Sequence, residues 1–130
     1  MMKDILRNII PAIILILAGV SNNIMDTVDH HYSISYFKDK NPQFWNKDIS
    51  WKNKYKDWPE DKRPAYPGAT SWLAWTTDAW HLFKTLFLSL FTLAIILYRR
   101  QRNRWLYIMD FIMLKIAFSA GWHLGDWIFN

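Results

Sequence analysis

The chain contains no cysteine, which excludes disulfide bonds, a thiol nucleophile and any thiolate-bound metal. It also lacks the compact zinc signatures, such as two histidines flanking a glutamate on one helix. There is no internal repeat and no low-complexity stretch. Apolar and aromatic residues, by contrast, are plentiful. Aromatics make up 18% of the 130 residues, with nine tryptophans, several at the ends of apolar blocks where interfacial belts belong. Mean hydropathy is close to neutral, but the average hides long apolar blocks on either side of a very polar middle.

The length suits one domain, residues 1–130. The net charge of +5 raises nucleic acid as a partner. However, Arg99, Arg100, Arg102 and Arg104 lie between two apolar segments, which is juxtamembrane placement and not a phosphate-contacting patch. No nucleic-acid partner is expected.

Three apolar segments are legible, at about residues 5–31, 72–98 and 105–129. The second and third exceed the ~20 residues that a helix needs to cross a bilayer core. The first has a shorter apolar centre, Ile9 to Val20, and reaches full length only by taking in Asn22, Asn23 and Asp26. Lys3 and Arg7, an apolar core and then Ala18, Gly19 and Ser21 also fit a secretory signal peptide. A retained helix is the expectation. The short link from Arg99 to Arg104 predicts an antiparallel hairpin of the second and third helices. Its arginines, with Lys3 and Arg7, put that end in the cytoplasm by the positive-inside rule.

Between the first and second segments lies a polar stretch, about residues 32–70. It carries eight Lys/Arg against five Asp/Glu, with Phe37, Phe44, Trp45, Trp51, Tyr55, Trp58 and Tyr66 spread through it. Pro42, Pro59, Pro64 and Pro67 exclude one long helix. Aromatics at this density predict an ordered extramembrane cap with short helices, for example around Asn41 to Trp45, and a small core of Trp45, Trp51 and Trp58. The fold expected is therefore all-α: an integral membrane protein of three transmembrane helices with an aromatic-rich cap between helices one and two. A bacterial inner membrane is its expected location.

The functional signal is the placement of ionisable groups. Asp26, Asp29, His30 and His31 close the first segment, Asp78 and His81 open the second, and His123 and Asp126 close the third. All four histidines belong to this set. Counting back from Tyr98 to His81 and forward from Trp105 to His123 gives rises that agree to about 1.5 Å, so the two lie at one depth. Each helix also shows a polar line at three- and four-residue spacing: Asn23, Asp26 and His30; Asp78, His81, Thr85, Ser89 and Thr92; Lys115, Ser119, His123 and Asp126. Ionisable groups in a bilayer usually face a bundle interior or a site.

If the three lines meet, His30, His31, His81, His123 and Asp126 are metal ligands of the zinc or non-haem iron type. Asp26 and Asp78 are then catalytic, as base or fourth ligand, in a metal-dependent hydrolase at the lipid–water boundary. A bis-histidine haem suits the carboxylates less well. The rival reading has Asp26–His30, Asp78–His81 and His123–Asp126 as structural pairs within their own helices. The chain is then a non-catalytic subunit of a membrane complex, or an envelope modifier encoded by a phage. Its partners are the lipid bilayer and another membrane protein or further copies of itself. Lys115, near mid-membrane, is expected to find an internal partner on the polar line.

The run from Asp26 to Trp51, with Asp-Thr-Val-Asp-His-His-Tyr, Asn-Pro-Gln-Phe-Trp-Asn and the start of Ser-Trp-Lys-Asn-Lys-Tyr, resembles small membrane proteins of Bacteroidetes-type bacteria and their phages. Thr77 to Lys84, Thr-Asp-Ala-Trp-His-Leu-Phe-Lys, is similar to a second block of that group. The resemblance covers about half the chain. It implies a small membrane protein and carries no activity or site residue.

Overall fold

The computed structural model describes residues 6–101 and 103–130. The chain is mostly helical with one small two-stranded sheet. Three helices are long and apolar enough to cross a membrane. Helix α1 is Ile9–Asp26; short helices α2 (Pro42–Trp45) and α3 (Lys47–Ser50) lie in the middle; strands β1 (Tyr55–Asp57) and β2 (Asp61–Pro64) form a hairpin; α4 is Ala79–Leu97 and α5 is Arg104–Phe129. The helical path of α1 runs on through wider turns at Thr27–His31 and a tight turn at Tyr32–Ile34.

Helix α1 is the centre of the bundle. Both α4 and α5 pack along it, while they scarcely meet one another. The expected hairpin therefore exists as a chain path, but α1 supplies the surface that each arm packs on. The reason is residue size. Ala117, Gly121 and Gly125 recur every four residues on α5, and all three are buried. They face Ile16, Gly19 and Asn23 of α1: a Cβ built on Gly121 would lie 2.7 Å from the Ile16 carbonyl carbon, and one on Gly19 would lie 2.7 Å from the Trp122 amide nitrogen. Such a spacing of small residues lets two backbones approach closely. Ala12, Leu15, Ala18, Ala94 and Ala117 make the buried centre, flanked by Phe87, Leu90, Leu114 and Phe118.

Helix α4 starts at Ala79, later than the Trp72 suggested by hydropathy, because residues 71–77 form turns and a short 3-10 segment. Asp78 sets the boundary. Its extended backbone and a side-chain bond from the His81 amide make it the N-cap.

The cap is ordered, and its short helices start on side-chain caps: Asn41 accepts from Gln43 N and Asn46 from Asp48 N. Its aromatics divide into two groups. Phe37, 3% exposed, is stacked between Trp45 at 4.3 Å and Phe129 at 5.1 Å, and Trp45 reaches Phe83 at 5.9 Å. Trp51, Tyr55 and Trp58 form a separate cluster on the hairpin, with Trp58 5.0 Å from Trp51 and 4.9 Å from Tyr55. The expected single core of Trp45, Trp51 and Trp58 is thus two cores. Trp45 ends α2, which rests on the helix ends, whereas the β1–β2 turn carries Trp58 away from them.

Candidate functional site

The ionisable residues predicted as a site do come to one end of the bundle, the end under the cap. There the close of α1, the start of α4 and the close of α5 meet, joined by Phe37 on Phe129 and by Asn130 on Thr27. Their side chains take separate partners.

Asp78 is the best-defined of them. At 2% exposure it accepts from the His81 amide at 2.9 Å, from His81 Nδ1 at 2.7 Å and from the Thr77 hydroxyl at 2.9 Å. Burial alone would push its carboxyl up, but the bonds from the His81 ring and amide, with the Thr77 hydroxyl, hold it below the ordinary aspartate value. An ionised acceptor assigns the imidazole proton to Nδ1, which leaves Nε2 as the free nitrogen of a half-buried ring. The edge of Trp80 lies 5.0 Å away. The cap is tied to this corner by Asn53, which donates to the Thr77 carbonyl at 2.9 Å and to that of Gln43 at 2.5 Å.

The other members are dispersed. Asp29 pairs with Lys47 of α3 and lies 3.5 Å from His30 Nε2. His30 and His31 are exposed, their rings edge-on at 6.5 Å. Asp126 accepts from the Asn130 amide at 2.8 Å, and the same amide donates to Thr27 at 2.9 Å. His123 is exposed and lies edge-on to its neighbour Trp122 at 5.3 Å. Asp26 is half-buried and makes no hydrogen bond or ion pair among the described residues. Of the three in-helix Asp–His pairs, only Asp78–His81 forms.

Among the described residues, no three His, Asp or Glu side chains are gathered to hold a metal ion. This overturns the metal-dependent hydrolase built on that cluster. The cause is the rotation of α5. Its small residues must face α1, and Lys115, Ser119 and His123 each stand two positions from one of them, about 200° round the helix. The stripe Lys115, Ser119, His123 and Asp126 is therefore fully exposed. The same holds on α4, where Phe87, Leu90 and Ala94 face inwards while Thr85, Ser89 and Thr92 point away. The polar lines exist, but those of α4 and α5 face outwards. Lys115 is exposed and has no internal partner among the described residues, contrary to expectation.

Two further buried polar groups stand in the interior, of which the sequence pattern marked Asn23, on the polar line of α1, and not Asn8. Asn8, fully buried at the head of α1, donates to Asp110 at 2.5 Å and to the Arg99 carbonyl at 3.1 Å, and accepts from the Arg99 amide at 2.8 Å. It clasps all three long helices at the arginine end. Asp110 also accepts from the Tyr98 hydroxyl at 3.4 Å, so its partners among the described residues are Asn8 and Tyr98. Burial and the nearby Asp110 carboxylate push the Tyr98 phenol up. Asn23 is the second: fully buried, it accepts weakly from Thr27 at 3.4 Å, and its amide nitrogen has no partner among the described residues. No local motif marks Asn8. The Ala117–Gly121–Gly125 spacing, however, was visible in the sequence and would have fixed the inward face of α5.

Because α4 and α5 splay apart over α1, a cleft of about 480 Å³ opens between them. Pro11 and Leu15 form its floor, Phe91 and Ile95 one wall, and Phe111 and Leu114 the other. Lys115 lies on its rim, and the Phe87 and Phe118 rings, 6.0 Å apart, meet across its deep end. Comparison with protein-family models, with curated proteins and with solved structures finds no match to this chain.

Proposed function

We propose that the protein is a three-span integral membrane protein that serves as a non-catalytic subunit of a membrane complex, with α5 as its docking helix. The observation that carries this is the outward polar stripe of α5. Lys115, Ser119, His123 and Asp126 occupy one exposed face of a helix whose other exposed side chains include Ile108, Phe111, Ile112 and Ile116. In water such an apolar surface would be an aggregation hazard; in lipid it is ordinary. The stripe reverses that logic. A cation within an apolar span is costly, and such residues normally meet a counter-charge. The partner therefore presents a carboxylate at the depth of Lys115.

A second copy fails this requirement in a two-fold arrangement. An axis along the membrane normal would set Lys115 against Lys115 at equal depth. The partner is accordingly a different chain. Exposed Trp72, Trp75 and Trp127 at one end and Trp105 at the other suit the two headgroup layers. Arg7, Arg99, Arg100 and Arg104 support an orientation with the N-terminus and the α4–α5 loop in the cytoplasm and the cap outside.

The test has two stages. Carbonate washing of membranes should leave the protein in the pellet; release without detergent refutes the spanning reading. Native electrophoresis in a mild detergent should then show a species larger than the monomer, reduced to monomer by Lys115→Leu together with His123→Leu. Monomeric migration of the wild type, or a complex indifferent to those changes, refutes the docking role.

A further inference from the structure

We propose that the arginine end of the bundle is a binding site for one anionic phospholipid, with the phosphate between Arg100 and Arg104 and one acyl chain in the cleft between α4 and α5. The proposal depends on membrane insertion but not on the docking role of α5.

Two features, apolar and basic, adjoin at Tyr98. The cleft above Pro11 and Leu15 ends at Tyr98. A second hollow of about 550 Å³ begins at the same residue and is lined by Arg100, Gln101, Arg104 and Tyr107. An apolar slot opening into a basic basin matches the layout of a phospholipid, tail then phosphate. Tyr98 and Tyr107, with ring centroids 6.5 Å apart, stand at the junction, where amphipathic rings are at home.

The charge is available. Arg100 and Arg104 are exposed and form no ion pair among the described residues. Asp110 is the one described acid at this end, and it is taken by Asn8 and Tyr98. A guanidinium offers a planar fork that matches phosphate oxygens. Arg104 is also the first residue of α5, so the positive end of a long helix dipole adds to the same basin. Basic pockets at the cytoplasmic ends of spans hold anionic headgroups on this principle.

The depth of the cleft selects a lipid tail over a partner helix. On α4 it runs from Tyr98 to Phe91 and on α5 from Phe111 to Phe118, about 10 Å of rise on each. That is within one leaflet of a ~30 Å core. The Phe87–Phe118 contact then closes it. A helix docking in it would need a groove continuing through the other leaflet, whereas an acyl chain ends at mid-membrane.

Native mass spectrometry of the full chain in detergent tests this, using phosphatidylglycerol against phosphatidylethanolamine. One phosphatidylglycerol should bind roughly thirtyfold more tightly than phosphatidylethanolamine, the scale set by two basic residues near a headgroup. Arg100→Gln with Arg104→Gln should abolish the preference; Arg100→Lys with Arg104→Lys, which keeps the charge, should retain part of it and guards against misfolding. Ile95→Trp, which fills the cleft from an exposed position, should weaken both lipids while keeping their ratio. Lys52→Gln with Lys54→Gln, an equal charge loss in the cap, should change nothing. Equal binding of the two lipids, or a preference that survives the arginine-to-glutamine pair, overturns the proposal. So does a preference lost equally in the lysine pair, or a protein cross-linked to a photoreactive group at Ile95. Carbonate release would refute membrane insertion itself, an outcome distinct from lipid indifference in a protein that stays in the pellet.

Discussion

Gly121→Ala isolates the contact on which the bundle depends. A Cβ at that position would sit 2.7 Å from the Ile16 carbonyl carbon, whereas carbon atoms in contact lie about 3.5–4.0 Å apart. The obstacle is backbone, so no side-chain rotation relieves it. Helices α1 and α5 must part by roughly 1 Å, and a gap of that size forfeits about a quarter to a half of each dispersion contact along the seam. The loss extends to Gly19 against Phe118 and Trp122 and to Gly125 against Asn23. Overpacking of this kind costs about 1–3 kcal/mol, and the upper half of that range is expected because the whole seam opens. The assay is unfolding in mixed micelles of mild detergent and dodecyl sulfate, followed by circular dichroism. Ala120→Leu, on the exposed side of the same helix, should stay within about 0.5 kcal/mol of wild type. If Gly121→Ala also stays within that margin, the small-residue seam does not hold the bundle.

Asn8→Leu should destabilise by about 1.5–3 kcal/mol, because it strips the buried Asp110 carboxylate of its closest donor. A double-mutant cycle with Asp110→Asn should return a clear coupling energy, and strict additivity would disprove the clasp. Trp45→Ala should lower the melting temperature more than Trp51→Ala, since Trp45 stacks on Phe37 and reaches Phe83 while Trp51 sits on the hairpin; equal effects would mean that the cap is one core after all. Asp78 has its carboxyl held below the ordinary value, so its contribution is full above the unfolded value near ~3.9 and drains as pH falls through the lower folded value. The stability gap between wild type and Asp78→Ala should accordingly narrow below about pH 4. A gap that keeps growing as the pH falls below about 4 contradicts the bonded, ionised Asp78.

Much of the architecture follows from composition and spacing alone. Apolar runs long enough to cross a bilayer mark the three helices. Proline in the middle segment excludes a fourth, and the density of aromatics there points to an ordered cap. Depth is equally local: rise per residue brings Asp26, His81 and His123 to one end of the bundle whatever their partners. Rotation about each helix axis is different in kind, because it depends on which face finds a neighbour. The sequence holds two periodic stripes on α5, one of small residues and one polar, and polarity by itself favours burying the second. The tertiary structure buries the first, since close approach of α1 at Ile16, Gly19 and Asn23 needs backbone without side chain, and this turns Lys115, Ser119 and His123 outwards. The same close packing makes α1 the hub, separates α4 from α5, and so opens the cleft that no residue pattern announces. Asn8 and Asp110 meet for the same reason: they lie at opposite ends of the chain, and only the packed bundle brings them into hydrogen-bonding range.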